Sequence, residues 1–588
     1  MLGKLSRELW RRLREPGMPM GIALAAAVGV GGGLGAVAFR WLILWFQELF
    51  FGGGERLLAS ISAYWIIGVP AVGGLLVGLL VTFLAPEAKG HGVPEVMLAV
   101  AKAGGRIRAR VAAVKILASA VCIGSGGSVG REGPIVQIGS GLGSWLGQLL
   151  HLPTAWLRTL VGCGASAGIS ATFNAPLGGC FFTMELLFRS FATRGFAFVV
   201  VSAVVGNLVA LQFLGNSPAF HVGDVYRLAD NREMFLYAGL GVLTGLVGTA
   251  FIKVLHFSEE LFECLPKVPQ WLKPVIGGLI VGCVGLYSRD LLGVGYGEAP
   301  WKSTTSIESV LAGSIPLKVL ICLVLLKIVA TSMSVGSGGS GGVFAPSLFL
   351  GAMTGGIVGI AAEHLFPGAN AGEGGYALVG AAALFAGVAR APITSVVMIF
   401  ELTRNYALIL PVMLAVVVAT GIVRLLSRET IYTEKLMRRG IDIVKMSRAH
   451  LVSGVPVGKV MTTDFPTVRE TTGLAELEAK FAETTHHGFP VLDGKGKLCG
   501  VVALSDLRAA RARGAGGEAV VGDICSRSLI TACPDETLAE VLARATEADI
   551  GRVPVVDPAD ETRLVGVLRR SGLVEAWKVA LTRGHEHA

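Results

Sequence analysis

Apolar residues occur in long runs over the first three quarters of the chain, and few charges interrupt them. Residues 19–46 contain only Arg40 as a charged residue, and about 20 apolar residues are enough for one helical crossing of a bilayer. Several runs are short or broken by glycine and proline, which predicts helices that enter the membrane without crossing it. The further low-charge segments are residues 63–84, 107–123, 155–184, 193–214, 234–252, 273–287, 316–335, 374–400 and 405–423.

The pattern changes after about Arg438, where charges become frequent and short β-branched runs alternate with amphipathic stretches. Two similar units follow, with "GFPVLD" at residues 488–493 and "GRVPVVD" at residues 551–557 as matching cores. Each unit predicts a strand, a helix, a strand, a turn, a strand and a helix. This tandem repeat resembles a pair of CBS domains over residues 455–578.

Composition and charge support a membrane protein and exclude other classes. The 588 residues are 52% hydrophobic and 16% charged, which is too apolar for a soluble protein. The first nineteen residues hold five basic residues, which are expected to stay in the cytoplasm. The net charge of +9 fits loops that face anionic lipid, so no nucleic-acid partner is expected. The nine cysteines form no C-x-x-C pair and predict neither a disulfide nor a metal site.

Two motifs of the membrane part occur twice, in the same order. "GSGGSVGREGP" at Gly124–Pro134 returns as "GSGGSGGVFAP" at Gly336–Pro346, 212 residues later. "NAPLGGCFFTME" at Asn174–Glu185 corresponds to "RAPITSVVMIFE" at Arg390–Glu401, 216 residues later. Repeated and broken hydrophobic segments are typical of transporters and channels whose site lies between two halves of inverted topology. We therefore predict two internally repeated, inverted halves with a site at their interface.

The chemistry of the glycine loops favours an anion as ligand. The proline that ends each loop suits the first turn of a helix, where a missing N–H costs nothing. Loop amides and the positive end of the helix attract anions. Such partial charges and neutral donors can hold an anion without a buried lysine, which would release the anion slowly.

Four motifs, two of which end the glycine loops, resemble the CLC family of chloride channels and chloride/proton antiporters. They are "GHGVPE" at Gly90–Glu95, "GREGP" at Gly130–Pro134, "GVFAP" at Gly342–Pro346 and "SRETIYTEKLMRRG" at Ser427–Gly440. "FNAPLGG" and "ELTRNY" support the resemblance, which covers nearly the whole membrane part. The resemblance implies transport of chloride or other small anions across a lipid bilayer by a homodimer, and a C-terminal CBS pair is common in the family.

The resemblance also implies functional residues. Glu132 matches the gating glutamate, whose carboxylate occupies the outer anion site and leaves it on protonation. Amides of two loop residues and the hydroxyl of one tyrosine match groups that face the central anion. Charge pairing of Glu132 with Arg131, and a membrane-interface anchor for the tyrosine, are the alternatives. The anion-binding positions expected from the resemblance are His91, Gly92, Val93, Val343, Phe344 and Tyr432.

Two positions depart from the family pattern. His91 stands where serine or proline is usual, and an imidazole that titrates near neutrality changes selectivity and pH response unless its ring turns away. Leu186 stands where exchangers commonly carry an inner glutamate. Glu185 cannot replace it, because adjacent helical residues point roughly 100° apart. This favours a passive chloride channel gated by Glu132 through pH or voltage. The alternative is a chloride/proton antiporter with an atypical inner proton route.

The CBS pair suggests a regulatory site. CBS pairs often bind adenine nucleotides, and Asp506 in "GVVALSDL" fits the aspartate that contacts ribose in the family. The second unit has Gly572 at that position, and Ala503 replaces the usual hydroxyl residue. We expect ATP or AMP at one half-site, and a tail that only dimerises is the alternative. No other cofactor is expected, and His486 and His487 predict a turn and not a metal site.

Two other function classes have weaker signals. "GASAG" at Gly164–Gly168 matches the G-x-S-x-G of serine hydrolases, but few histidines lie in apolar segments and close helix packing explains the small residues around Ser166 better. A magnesium transporter predicts acidic residues along the pore, whereas acids are few here. The protein is therefore expected not to be an enzyme.

The sequence predicts five regions in a multi-pass protein of a bacterial-type plasma membrane, with both termini in the cytoplasm. They are a basic N-terminal helix (residues 1–18), the CLC-type membrane domain (19–440), a linker (441–454), tandem CBS domains (455–578) and a tail (579–588).

Overall fold

A computed structural model describes the fold in two compact units, Met1–Ile443 and Val444–Ala588. The described residues are 17–53, 64–191, 193–216, 220, 226, 228, 230–297, 301, 303–365, 367, 371–442, 456–484, 486–514, 519–547 and 552–569. The predicted N-terminal helix, most of the linker and the tail lie outside these residues.

The first unit is entirely helical apart from short loops and isolated bridges among its described residues. Its first eight helices are α1 (Met18–Gln47), α2 (Trp65–Leu84), α3 (Val93–Ala101), α4 (Ala109–Gly124), α5 (Glu132–Leu149), α6 (Thr154–Phe173), α7 (Pro176–Phe182, continued by a π-helical segment Thr183–Phe188) and α8 (Thr193–Leu214). The next nine are α9 (Glu233–Glu263), α10 (Lys273–Gly285), α11 (Ile307–Leu311), α12 (Leu317–Gly336), α13 (Phe344–Leu365), α14 (Gly372–Ala389), α15 (Pro392–Thr403), α16 (Ile409–Leu426) and α17 (Glu434–Arg438).

Eight helices of the described residues are long and apolar enough to cross a membrane. Other apolar helices are too short, among them Pro176–Phe188, α10 and α15. A helix rises 1.5 Å per residue, so about 20 residues are needed for a crossing. The expectation that some segments enter the membrane without crossing it fits these lengths.

Local structure repeats at the predicted spacing. Helix α6 is followed by Asn174 with φ 55°, and α14 is followed by Arg390 with φ 53°. Each of these left-handed residues precedes an Ala-Pro pair that starts the next helix. The left-handed turn stops the helix and proline starts the following one, because proline needs no N–H partner at a first turn. The two halves therefore use the same local signals.

Small residues bring equivalent helix pairs into close contact. Helix α5 packs on α6, and α13 packs on α14. A Cβ atom on Gly139 would overlap the carbonyl group of Gly164, and one on Gly351 would overlap that of Gly380. The small residues around Ser166 thus serve helix packing, as the sequence indicates.

Two glutamates cap helices of the opposite half. Glu185, at the end of the α7 segment, accepts a hydrogen bond from the N–H of Thr394 at 2.7 Å, at the start of α15. Glu401, at the end of α15, accepts one from the N–H of Gly178 at 2.6 Å, at the start of α7. Each carboxylate thus satisfies free N–H groups at a positive helix end. A reciprocal contact between equivalent residues indicates a two-fold axis between the halves.

The second unit contains the predicted repeat of strands and helices. The first copy contains β1 (Val468–Arg469), α18 (Leu474–Glu483), β2 (Gly488–Leu492), β3 (Leu498–Ala503) and α19 (Leu504–Ala512), followed by α20 (Val521–Ile524); the second contains α21 (Leu538–Glu547), β4 (Arg552–Asp557) and β5 (Asp560–Arg569). Strand β2 pairs parallel to β1 and antiparallel to β3, and β4 pairs antiparallel to β5. A parallel bridge between Ala532 and Val555 stands where the first copy has its β1–β2 pairing. The last predicted helix lies outside the described residues.

Because Glu185 and Glu401 make equivalent capping contacts, replacing either one should lower the stability of the protein to a similar extent. Replacing Glu185 or Glu401 by glutamine removes the charge from hydrogen bonds worth about 1.5–3 kcal/mol each, so both variants should unfold at lower temperature than the wild type. Thermal unfolding of the purified protein in detergent measures this. The control is Glu260→Gln, whose side chain is 56% exposed and pairs with Arg438. A shift no larger than that of the control would contradict the capping role.

Candidate functional site

Three glycine-rich segments meet at the centre of the first unit. Gly130 donates its N–H to the carbonyl of Gly342 at 2.7 Å and accepts the N–H of Gly342 at 2.6 Å. Gly90 donates to the carbonyl of Gly339 at 3.0 Å and accepts from Gly341 at 3.3 Å. The first pair joins equivalent residues of the two halves in an antiparallel bridge. The predicted loops therefore form one structure held by backbone hydrogen bonds.

Glycine is required where these segments cross. A Cβ atom on Gly133 would overlap the carbonyl group of His91. A Cβ atom on Gly342 would lie 2.7 Å from the N atom of Gly133. Gly92 has φ 85°, a left-handed conformation that side chains rarely tolerate. The loops approach one another at van der Waals distance only because these positions lack side chains.

The N-terminal ends of three helices converge on this crossing. Helices α3, α5 and α13 all begin directly after one of the three segments. Free N–H groups and the positive ends of helices attract negative charge. The predicted residues His91, Gly92 and Val93 precede or begin α3, and Val343 and Phe344 precede and begin α13; all five are buried.

Tyr432 lies between the end of α14, which its neighbour Ile431 contacts, and α17. The neighbouring N–H of Ile431 donates to the carbonyl of Val388 at 3.0 Å. Helix α17, which follows Tyr432, packs against α3. The side chain of Tyr432 is 2% exposed. This buried position differs from that of an interfacial anchor.

Glu132 connects the two halves through its carboxylate. Its Oε2 accepts a hydrogen bond from the N–H of Ala345 at 3.3 Å, at the start of α13. Its Oε1 accepts one from the hydroxyl of Tyr296 at 2.7 Å. Arg131 lies over the ring of Tyr296, with its guanidinium carbon 5.4 Å from the ring centroid. Glu132 therefore binds the helix end of the other half and a phenol, and Arg131 contacts the phenol.

Sequence reasoning missed Tyr296. It belongs to "GVGYGEAP", and both neighbouring glycines have positive φ, 88° at Gly295 and 78° at Gly297. The paired glycines mark a tight turn, but no spacing rule connects this turn to Glu132. Tyr296 and Arg131 also line a cavity of about 620 Å³. The carboxylate of Glu132 thus lies directly behind two residues of the cavity wall.

Two buried lysines bind the backbone of loops near the site. Lys115 of α4 and Lys327 of α12 are both 0% exposed. Lys115 donates to the carbonyl of Gly90 at 2.7 Å, and Lys327 donates to the carbonyl of Gly293 at 3.3 Å. Each lysine holds backbone carbonyls of a loop, which lowers the cost of burying its charge. The two lysines are 212 residues apart, which is the offset of the glycine loops.

Buried hydroxyl groups repeat the same symmetry. Ser119 of α4 lies 2.9 Å from Ser340 of the second loop, measured between the hydroxyl oxygens. Ser128 of the first loop lies 3.3 Å from Thr331 of α12. Both pairs join one half to the other, so each glycine loop is fastened to the helix that precedes the opposite loop.

The two atypical positions lie on segments next to α3. His91 is 1% exposed, and its Nε2 is 3.9 Å from Oε1 of Glu259 in α9. Leu186 is buried in the segment Thr183–Phe188, which packs against α3. The neighbouring Glu185 binds the start of α15 and so cannot act in place of Leu186.

The predicted nucleotide residue lies in the second unit. Asp506 is partly buried and its Oδ2 accepts the N–H of Ala503 at 2.8 Å, so it caps α19 with one oxygen. Its counterpart Gly572 lies outside the described residues. His487 lies in the turn before β2, where its carbonyl accepts the N–H of Leu504 at 3.1 Å.

Comparison with known proteins agrees with this geometry. The family described as "Voltage gated chloride channel" matches residues 73–424, and the CBS domain matches residues 457–513 and 521–578. The chain belongs to the CLC family. As such it transports anions across a membrane, and neither a hydrolase nor any other enzyme fits this family. The CLC resemblance and the CBS pair predicted from the motifs are confirmed.

Similar proteins carry two kinds of names. A ClcB-like protein of Ralstonia nicotianae, whose name places it among chloride channels, is 33% identical over 441 residues, covering 73% of this chain and 99% of the relative. An "H(+)/Cl(-) exchange transporter ClcA" of Salmonella arizonae is 32% identical, covering 74% of this chain and 92% of the relative. The structure of a slow cyanobacterial Cl−/H+ antiporter has a TM-score of 0.64 at 24% identity, covering 72% of this chain and 98% of that one. The last similarity shows the fold alone.

Proposed function

We propose that this CLC protein is a chloride/proton exchange transporter. The sequence favoured a passive channel because Leu186 cannot carry a proton. The names of the relatives support exchange better, since the ClcA proteins are named as H(+)/Cl(−) exchange transporters. The observation that carries the proposal is the buried carboxylate of Glu132, which binds the N–H of Ala345 and so occupies an anion position at the start of α13.

The chloride site in this proposal lies at the glycine crossing. The amides of Val343 and Phe344 donate to chloride at the start of α13, and Tyr432 supplies a hydroxyl donor without a net charge. The segment His91–Val93 closes the site from the side of α3. Partial charges bind chloride weakly enough for it to leave. The two buried lysines add a positive electrostatic potential, while their ammonium groups stay bound to backbone carbonyls.

Protonation of Glu132 is the step that connects chloride to protons. The charged carboxylate competes with chloride for the positive end of α13. When it takes up a proton it loses its charge, and its attraction to that helix end falls. Chloride then replaces the side chain, and the proton is released when the carboxylate returns. The predicted homodimer, the bacterial-type plasma membrane and the cytoplasmic termini remain part of this proposal.

Exchange is tested in liposomes that contain the full-length protein. A chloride gradient should drive protons against their own gradient, measured with a pH electrode while a chloride electrode records chloride. In Glu132→Gln, proton movement should fall at least tenfold and chloride flux should lose its pH dependence, because the amide cannot titrate. The control is the exposed residue Glu48 in Glu48→Gln. Chloride flux without proton movement in the wild type would contradict exchange and support the channel.

The contact with Tyr296 predicts a change in pH dependence. A hydrogen bond to the charged carboxylate is worth about 1.5 kcal/mol, or about one pH unit, and it favours the deprotonated state of Glu132. Tyr296→Phe should therefore keep chloride flux activated at a pH about one unit higher than in the wild type. The control is Tyr376→Phe, which loses a similar bond to Glu233 (3.1 Å) elsewhere. Equal pH profiles for Tyr296→Phe and the wild type would contradict this role.

We also propose that the CBS pair binds ATP or AMP through Asp506, which keeps one carboxylate oxygen free of its helix cap. Millimolar AMP or ATP should raise the unfolding temperature of the wild type, because a ligand of the folded state stabilises it. Asp506→Asn keeps the cap and removes the charge, and should abolish most of the shift. The exposed Asp464 gives the control Asp464→Asn. A wild type without a shift would favour a tail that only dimerises.

A further inference from the structure

A polar cluster beside the glycine crossing joins the side chain of His91 to two residues of α9 that have no part in the chloride site described above. His91, which precedes α3, has its Nε2 3.9 Å from Oε1 of Glu259. His256, one turn earlier in α9, has its Nδ1 3.0 Å from Oε2 of the same carboxylate. The imidazole rings are 1% and 2% exposed. One glutamate therefore lies between two buried histidines that come from different parts of the chain.

The cluster has unused hydrogen-bonding capacity. Among the residues that the structure describes, neither ring nitrogen of His91 has a hydrogen-bond partner, and Nε2 of His256 has none. Buried polar atoms without a partner are rare and costly in native proteins, so a purely structural cluster would be expected to satisfy them. Imidazole can accept a proton at one nitrogen and release one from the other. The free nitrogens thus give the cluster the chemistry of a proton carrier.

Several charged or titratable side chains from neighbouring helices surround the cluster. Glu259 is 14% exposed and connects the buried histidines to the protein surface. The Nζ of Lys435 lies 3.0 Å from where a Cβ atom of Gly90 would be. His256 on α9 and Lys435 on α17 interact electrostatically with both His91 and Glu259. Lys115 on α4 also interacts with His91, and Lys89 before α3 interacts with Glu259.

The cluster and Leu186, which replaces the usual carboxyl group, are both next to α3. The segment Thr183–Phe188, which contains Leu186, packs against α3, and His91 precedes α3 by two residues. The carbonyl of His91 is in close contact with Gly133, the residue after Glu132. His91 thus lies between the surface end of the cluster and the segment that carries Glu132. Within the described residues no group of three or more His, Cys, Asp or Glu is arranged to hold a metal ion, so a metal site is not indicated.

We propose that Glu259, His91 and His256 form a second proton site, which replaces the carboxyl group that Leu186 cannot provide. This inference rests on the proposed chloride/proton exchange. A proton from water binds to Glu259, whose carboxylate is held by His256. The neutral ring of His91 carries its hydrogen on Nδ1, so the proton passes from the carboxylate to Nε2, and the imidazolium then releases the Nδ1 hydrogen toward Glu132, which leaves a neutral ring with its hydrogen on Nε2. Only O–H and N–H bonds form and break, and no other reactant takes part.

The test measures protons moved per chloride with the full-length protein in liposomes. Glu259→Gln cannot carry a proton, so the ratio of proton to chloride movement should fall at least tenfold relative to the wild type. The matched control is Glu260→Gln, one residue away and exposed, which should keep the wild-type ratio. A restored ratio in the double variant Glu259→Gln/Leu186→Glu would support replacement of the usual carboxyl group by the cluster.

The outcomes separate this inference from the proposed function. If the wild type moves no protons with chloride, the exchange proposal is overturned, and this inference with it. If the wild type exchanges and Glu259→Gln keeps its ratio, only the inference is overturned. If Glu259→Gln yields no folded protein, His256→Gln decides, because glutamine can keep the contact with Glu259 but cannot titrate. A ratio reduced at least threefold supports the cluster, and an unchanged ratio overturns it.

Discussion

The membrane unit depends on the backbone pairing of Gly130 with Gly342. These are equivalent residues of the two halves, and each donates to and accepts from the other. Two equivalent segments pair with one another in this way only across a two-fold axis. In an interior without water each lost backbone hydrogen bond would cost several kcal/mol. The bridge therefore sets the positions of the helices that begin after it, and it brings Glu132 to Ala345 although they are 213 residues apart.

Function arises where this symmetry is broken. The lysines, the hydroxyl pairs and the capping glutamates all occur once in each half, and they hold the loops and helix ends in place. Glu132 does not follow this rule, because the equivalent position of the second half is Phe344. One half thus offers a helix end with free N–H groups, and the other supplies a carboxylate that binds there. If both halves carried a carboxylate at this position, the two negative charges would repel each other at the crossing.

Much of this site could be predicted from the sequence because it rests on local signals. Glycine loops, prolines at helix starts and the repeat spacing indicate where the backbone bends and which segments are equivalent. Lys115 and Lys327 were missed although their spacing equals that of the loops. A single charged residue changes the mean hydropathy of a long apolar segment only slightly. Tyr296 and Glu259 could not be assigned, because their partners are distant in the chain and no periodicity connects them.

His91 and Leu186 are the two departures from the family pattern, and the position of His91 offers a physical connection between them. A protonated imidazole beside the glycine crossing would attract chloride, and bound chloride would in turn favour protonation of His91. Such coupling between two sites is reciprocal by thermodynamic necessity. Burial of the ring opposes the protonation of His91 most, Glu259 favours it, and Lys435 and Lys115 oppose it. Chloride at the crossing would offset part of the repulsion from these lysines. An imidazole in this place therefore couples proton occupancy to chloride occupancy more directly than a serine could, even without a carboxyl group at Leu186.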